Sequence, residues 1–262
     1  MRPGHRAGQW IYGAHAVLAA LANPRRRWHR LLLTATAEKT LGERVRNVIA
    51  ARGHAIDDGS TEDPGPEIIT AKALDGLLAA GAVHQGIALE ADDLPQTGIE
   101  DIVALARGNS AATVVVLDQV TDPRNVGAVM RSTAAFGGLA VIQTARGGAD
   151  VTAALAKAAS GALDMVPLVR VTNLAQALDS LKGAGFWCIG LDAGAPETLA
   201  KTDLSGKVAL VLGAEGKGLR RLSRERCDVL AQIPVAPRLA SLNVSTAAAI
   251  SLYETVRQRQ GQ

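Results

Sequence analysis

Aromatic residues are scarce in this chain: three Trp, two Tyr and two Phe make up 3% of 262 residues, although 48% is hydrophobic. Its core must therefore be built from Ala, Leu and Val, which suits alternating helices and parallel strands better than a sandwich or barrel with aromatic layers. Cysteine is nearly absent too. Cys188 and Cys227 lie far apart and form no CxxC, so no metal is expected. Cys188, inside Phe186-Trp187-Cys188-Ile189, reads as a buried thiol in a reducing compartment. No segment approaches ~20 uninterrupted apolar residues, and Met1-Arg2-Pro3-Gly4-His5-Arg6 leads into no cleavage pattern. The expectation is a cytoplasmic protein with no membrane span.

Other absences narrow the chemistry. All five histidines (5, 15, 29, 54 and 84) precede residue 90. A Ser-His-Asp hydrolase or a histidine general base in the C-terminal part is thereby disfavoured. No GxGxxG follows the first strand of either half. The stretch Gly213-Ala214-Glu215-Gly216-Lys217-Gly218 departs from GxxxxGK[ST] twice: Val211 and Leu212 stand where the first glycine would lie, and Gly218 replaces the magnesium-ligating Ser or Thr. An NTPase is disfavoured.

What is present divides the chain in two. Before Glu38 there is no acidic residue, but there are Arg2, Arg6, Arg25, Arg26, Arg27 and Arg30. The formal charge of +3 and pI of about 9.1 permit a polyanionic partner without demanding one. Helix is expected over 15–21, ended by Asn23-Pro24, with a strand at 31–34, a helix at 37–52, a short strand at Ala55-Ile56, a helix near 70–79 and a strand at 84–89. Residues 1–90 thus read as a small α/β domain. Arg25, Arg26, Arg27 and Arg30 are its candidate RNA-phosphate patch, with a solvated turn as the plain alternative. Trp28 beside them could stack on a base, although a partly buried Trp is the simpler reading. The acidic, Pro- and Gly-marked stretch from Ala91 opens a linker over 91–110, and the helical stretch at 99–107 could belong to either side.

From residue 111 to 262 strand and helix alternate. Strands are expected at 113–117, 139–143, 166–171, 186–191, 208–212 and 231–235, and helices at 128–136, 151–160, 173–183, 219–226 and 243–259. The pattern predicts a parallel sheet covered on both faces, with ligands bound beyond the carboxyl ends of its strands. Polar residues collect at those ends: 118–131, 213–218 and 237–245. Asn125, Arg131, Glu215, Ser241 and Asn243 form a set for hydrogen bonding and charge positioning, suited to group transfer from an activated donor. Ser241-Leu242-Asn243-Val244-Ser245, taken alone, is helix-capping chemistry, with Ser245 the better plain cap.

Three of these stretches carry a resemblance. Asp122-Pro123-Arg124-Asn125-Val126-Gly127-Ala128-Val129-Met130-Arg131-Ser132, Leu212-Gly213-Ala214-Glu215-Gly216-Lys217-Gly218 and Ser241–Ser245 resemble, in order and spacing, the signature motifs of the SpoU/TrmH ribose 2′-O-methyltransferases of the SPOUT superfamily. The segments Ile11–Val17 and His84-Gln85-Gly86 resemble the ribosomal-protein-like substrate domain of the bacterial 23S rRNA guanosine 2′-O-methyltransferase group. The resemblance implies a C-terminal trefoil knot, S-adenosyl-L-methionine as cofactor, a homodimer, and rRNA as partner. It also implies catalytic positions at Asn125, Arg131, Glu215, Ser241 and Asn243, with cofactor contacts at Gly213, Ile233 and Leu242. Pro237 stands where the family carries a glycine, and Arg238 beside it could touch RNA. A tRNA ribose methyltransferase and a non-catalytic RNA-binding or assembly protein are the alternatives.

Overall fold

The computed structural model describes residues 9–52, 65–236 and 241–261. The expected strand at Ala55-Ile56 lies outside these residues, as do Pro237 and Arg238. Two compact units result, Met1–Pro95 and Gln96–Gln262.

The first unit orders as β1 (Gln9–Tyr12), α1 (Ala14–Ala22), β2 (Trp28–Thr34), α2 (Ala35–Arg52), β3 (Glu67–Ile69), α3 (Ala71–Leu77) and β4 (Ile87–Ala91). Its sheet runs β1-β4-β2-β3, with β4 antiparallel to both neighbours and β3 parallel to β2. Alternation along β2 sends Leu31 and Leu33 into one core, with Leu21, Val45 and Leu89, and Leu32 into another with Leu74 and Ala88. β2 begins three residues before the expected Leu31, because Trp28 is itself buried in the first core. The two segments flagged by resemblance meet: Gly13, at φ +89°, donates its N–H to the Ile87 carbonyl, and the Gln85 side chain accepts from the Ala14 N–H at 2.9 Å. Their residues thereby start α1.

The second unit contains α4 (Ile99–Leu105), β5 (Ala112–Asp118), α5 (Pro123–Ala135), β6 (Ala140–Thr144), α6 (Ala153–Ala159), α7 (Ala162–Met165), β7 (Leu168–Val171), α8 (Leu174–Gly183), β8 (Trp187–Leu191), β9 (Glu197–Thr198), β10 (Lys207–Gly213), α9 (Arg221–Arg226), β11 (Val229–Gln232) and α10 (Val244–Gln260). α4 belongs here: Ile102 packs in one core with Val114, Val116 and Leu178. All seven strands are parallel, in the order β7-β6-β5-β10-β8-β11-β9. Val114 and Val116 face α4 and α8, while Val115 and Leu117 face α5 and α10. Both faces are buried, which is why β5 is apolar until Asp118.

Strand order also fixes where loops converge. The chain moves outward through β5, β6 and β7, then returns to place β8, and β10 later enters between β5 and β8. Such a reversal opens a crevice at the carboxyl edge, where ligands of open parallel sheets bind. α10 descends from that edge to the opposite one, where Arg259 donates to the carbonyls of Ala112, Ser205 and Gly206. Among the described residues, no helix is long and apolar enough to cross a membrane.

Candidate active site

α5 supplies the first wall. Asp122 caps it, its carboxylate accepting from the Arg124 N–H at 2.9 Å, and Pro123 occupies the first helical position. Gly127 lets the helix lie close on α6, since a Cβ there would stand 2.6 Å from the Leu155 carbonyl oxygen. Asn125 in the first turn is thereby aimed at the carboxyl ends of β5 and β10.

The second wall is the turn after β10. The Gly218 N–H donates to the Ala214 carbonyl at 2.9 Å, closing a tight loop with Gly216 and Gly218 at positive φ. A Cβ on Gly213 would fall 2.1 Å from the Gly218 carbonyl carbon, so this loop can be this narrow only with glycine at 213. The third wall is the start of α10. Asn243, not Ser245, is the cap: its Oδ1 accepts from the backbone N–H groups of Ser245 and Thr246 and from Ser245 Oγ. Ser245 sits inside the first turn and orients the capping amide.

The three walls meet in one hydrogen-bonded triangle. Glu215 Oε1 accepts from Asn125 Nδ2 at 2.9 Å and from Asn243 Nδ2 at 2.6 Å, and Asn243 Nδ2 also reaches Asn125 Oδ1 at 3.1 Å. Residues 90 and 118 positions apart in sequence thus share one contact. Glu215 pins the loops, as its position suggests, but it does not pair with Arg131. Arg131, two turns along α5, is exposed and has no side-chain partner among the described residues.

Beside the triangle lies a cavity of about 390 Å³. Gly213, Ile233 and Leu242 line it together with Glu215 and Ser241. Asn125, Asn243 and Arg131 are not in its wall; the first two join it through Glu215. Leu191, the last residue of β8, with Asp192 and Ala193 after it, forms another side and was missed in the sequence. The signal was available, because the carboxyl end of an adjacent parallel strand lies on the same edge. A cavity of about 420 Å³ lies between the start of α8 and residues Arg220–Ser223 and contains no motif residue. The smaller cavity is the better candidate because the motif loops converge on it.

At the same edge Asp118 is fully buried and bridges to Arg220, accepting from its Nε at 2.6 Å and its backbone N–H at 3.0 Å. This pair ties the end of β5 to the chain leaving the 213–218 turn. Among the described residues no group of three or more His, Cys, Asp or Glu could hold a metal ion.

The N-terminal arginines do not form one solvent-facing patch. Arg26 is 6% exposed, and its Nη1 donates to the Asp92 carbonyl at 2.7 Å. Arg30 makes a two-pronged pair with Glu67, at 3.0 and 2.9 Å, which raises its own pKa and lowers that of Glu67. Arg25 and Arg27 are exposed. Trp28 is buried at 6% exposure, so it offers no stacking face.

Residues 112–253 match the model of the SpoU rRNA Methylase family. The chain belongs to this family. It is 38% identical over 261 residues to the 23S rRNA (guanosine-2'-O-)-methyltransferase RlmB of Photobacterium profundum, covering 95% of this chain and 98% of that protein. The RlmB of Pasteurella multocida is 41% identical over 251 residues, covering 95% and 98%. In fold, the chain is similar to the SpoU methyltransferase AviRb from Streptomyces viridochromogenes, solved with the cofactor AdoMet, at TM-score 0.76 and 22% identity, over 99% of this chain and 96% of that one.

Proposed function

We propose that this protein is an S-adenosyl-L-methionine-dependent RNA methyltransferase that methylates a ribose 2′-hydroxyl, with a guanosine of 23S rRNA as its target. The observation that carries the reading is the Asn125–Glu215–Asn243 triangle beside the cavity lined by Gly213, Ile233 and Leu242. All three family motifs contribute to it. Relatives named for this reaction match over nearly their whole length, N-terminal unit included, which favours rRNA over the tRNA alternative.

The cavity fits the cofactor in size, lying within the ~300–1,000 Å³ of ligand pockets. Its wall is largely apolar and backbone, and the missing Cβ at Gly213 lets main-chain groups approach a ligand closely. Bound there, S-adenosylmethionine supplies a methyl group already activated by its sulfonium. The protein's part is alignment and proton removal; alignment alone can lower a barrier by up to ~7–11 kcal/mol in ideal cases. Asn125 and Asn243 fix the loops through Glu215, while Ser241, exposed on the cavity rim, offers a hydroxyl to the ribose. A guanidinium is a poor base, so the role of Arg131 is to lower the pKa of the 2′-hydroxyl and orient the neighbouring phosphate.

The trefoil knot is part of the same reading. It is supported by β10 entering between β5 and β8, and by the 202–206 segment bonding to the end of α10 through Gln258 and Arg259. A homodimer would cover the exposed Ile250 and Tyr253 of α10. The test is transfer of labelled methyl from S-adenosylmethionine to unmodified rRNA and tRNA, followed by mapping of 2′-O-methyl sites. Transfer to a 23S guanosine is expected; no transfer to either RNA would leave a binding protein.

A further inference from the structure

Among its described residues the second unit holds both paired and unpaired cations, and among the unpaired ones, which include Arg146 and Lys217, two stand on the helix that carries Asn125. The four arginines from 220 to 226 look like an RNA-binding run, but each has an acid: Arg220 with Asp118, Arg221 with Glu225, Arg224 with Asp192 and Arg226 with Asp179. A guanidinium so neutralised must give up its partner before it can serve a phosphate. Arg124 and Arg131 are different. Both are exposed, and neither side chain has a hydrogen bond or ion pair among the described residues.

These two lie on one stripe of α5. Seven residues is close to two helical turns, so they project from the same side, about 10 Å apart along the axis. Ala128 and Ala135, also on this stripe, are not buried, so it opens to solvent along its length. Arg124 is moreover placed where the helix disfavours it: in the first turn, a cation faces the positive end of the helix dipole. The carboxylate nearest in sequence, Asp122, is engaged in capping through the Arg124 backbone N–H rather than its side chain. The fold therefore gains nothing visible from a cation at 124, and the next residue, Asn125, is part of the triangle.

The geometry points to Arg124 as a second RNA-backbone contact, holding a phosphate on the strand whose ribose is presented to the transfer site. This rests on the RNA reading of that site. Arg124 is a positioning residue for the substrate, distinct from Arg131, which acts beside the reacting hydroxyl. Because an unpaired guanidinium neutralises one phosphate without losing an internal partner, its contribution is one unit of counterion release.

The test compares full-length Arg124→Gln, Arg124→Lys and Arg221→Gln with the unaltered protein, using an unmodified 23S rRNA transcript. Binding is titrated between 50 and 300 mM KCl, methyl transfer is measured over RNA concentration, and melting temperature is recorded. Arg124→Gln should raise the KM for RNA about three- to tenfold, leave kcat within twofold, and lower the slope of log affinity against log salt by about 0.7–0.9. Its melting temperature should hold or rise slightly, which a structural role would not give. Arg124→Lys should keep the salt slope, and Arg221→Gln should change neither slope nor KM. An unchanged slope and KM in Arg124→Gln would overturn the assignment, as would a loss confined to kcat. Binding needs no turnover, so a protein that transfers no methyl but loses slope on Arg124→Gln would refute the enzyme reading and keep this one.

Discussion

Asn243 performs two tasks that substitution can separate. Its Oδ1 caps α10, and its Nδ2 donates to Glu215 and Asn125. Asn243→Ala removes both. A lost cap costs about 0.5–2 kcal/mol, and an exposed hydrogen bond to a carboxylate adds about 0.5–1 kcal/mol after allowance for solvent. The total is about 1–3 kcal/mol, which in a unit of this size lowers the melting temperature by about 2–4 °C per kcal/mol. Asn243→Asp keeps an equally good cap but replaces the amide donor with a carboxylate facing Glu215. Its stability cost should be about 1 kcal/mol or less, mostly repulsion, while methyl transfer falls as far as in Asn243→Ala because the triangle is broken in both. Adding Glu215→Gln to Asn243→Asp removes the repulsion and supplies a new amide donor, so the double variant should regain most of the lost stability. Calorimetric melting of the four proteins, with transfer assays alongside, decides it. If Asn243→Asp melts as low as Asn243→Ala, the cap does not operate; if the double variant melts no higher than Asn243→Asp, Glu215 does not face position 243.

Arg131→Ala should abolish turnover and leave cofactor affinity within about twofold, measured by calorimetric titration; near-normal turnover removes Arg131 from the mechanism. Gly213→Ala forces a Cβ into the Gly218 backbone, so cofactor binding should be lost and the melting temperature lowered; retained binding would show that the turn relaxes cheaply. Burial pushes the Cys188 and Cys227 thiols up to about 12. Their thiolates form only as pH approaches that value, so thiol reagents at pH 8 should label neither until the protein unfolds, and rapid native labelling would contradict the packing. Arg26→Ala should destabilise the first unit by breaking its bond to the Asp92 carbonyl; unchanged melting would mean that Arg26 is not structural.

Element types in the second unit were legible because its strands are apolar on both faces and its helices are bounded by strong signals. Asp122 caps α5, Pro123 opens it, and Gly137, at positive φ, follows its end. Residues 118–127 read as a polar loop entering the helix that 128–136 completes, and α5 begins at Pro123, inside that stretch. Two-residue β9 and three-residue β3 carry too few side chains to show a period. The site residues were legible as types and as motifs, but not as partners: nothing local shows that Glu215 binds Asn125 and Asn243 rather than Arg131. That depends on strand order, which pairing across long separations decides. The arginines at 25–30 differ in setting for a related reason. A basic run reads as one patch, but only Arg30 of these lies on β2, and the register of β2 shifts between Trp28 and Arg30: Trp28 and Arg26 are buried, while Arg30 stays out to meet Glu67.

Strand order also explains why the cavity exists where it does. β5 and β10 are neighbours, so the Asp122–Asn125 and Gly213–Gly218 segments meet without further help. β11 lies beyond β8, yet α10, which follows it, packs against α5 over β10. Ile233 and Val235 after β11, and Ser241 and Leu242 before α10, line the cavity, as do Leu191, Asp192 and Ala193 at the end of β8. Glu215, reaching Asn243 at the start of α10 and Asn125 on α5, closes its side. The triangle thus joins three of the segments on which the cavity depends. Breaking it should loosen cofactor and ribose together, whereas losing a contact on one side, as in Arg131→Ala, should affect the ribose alone.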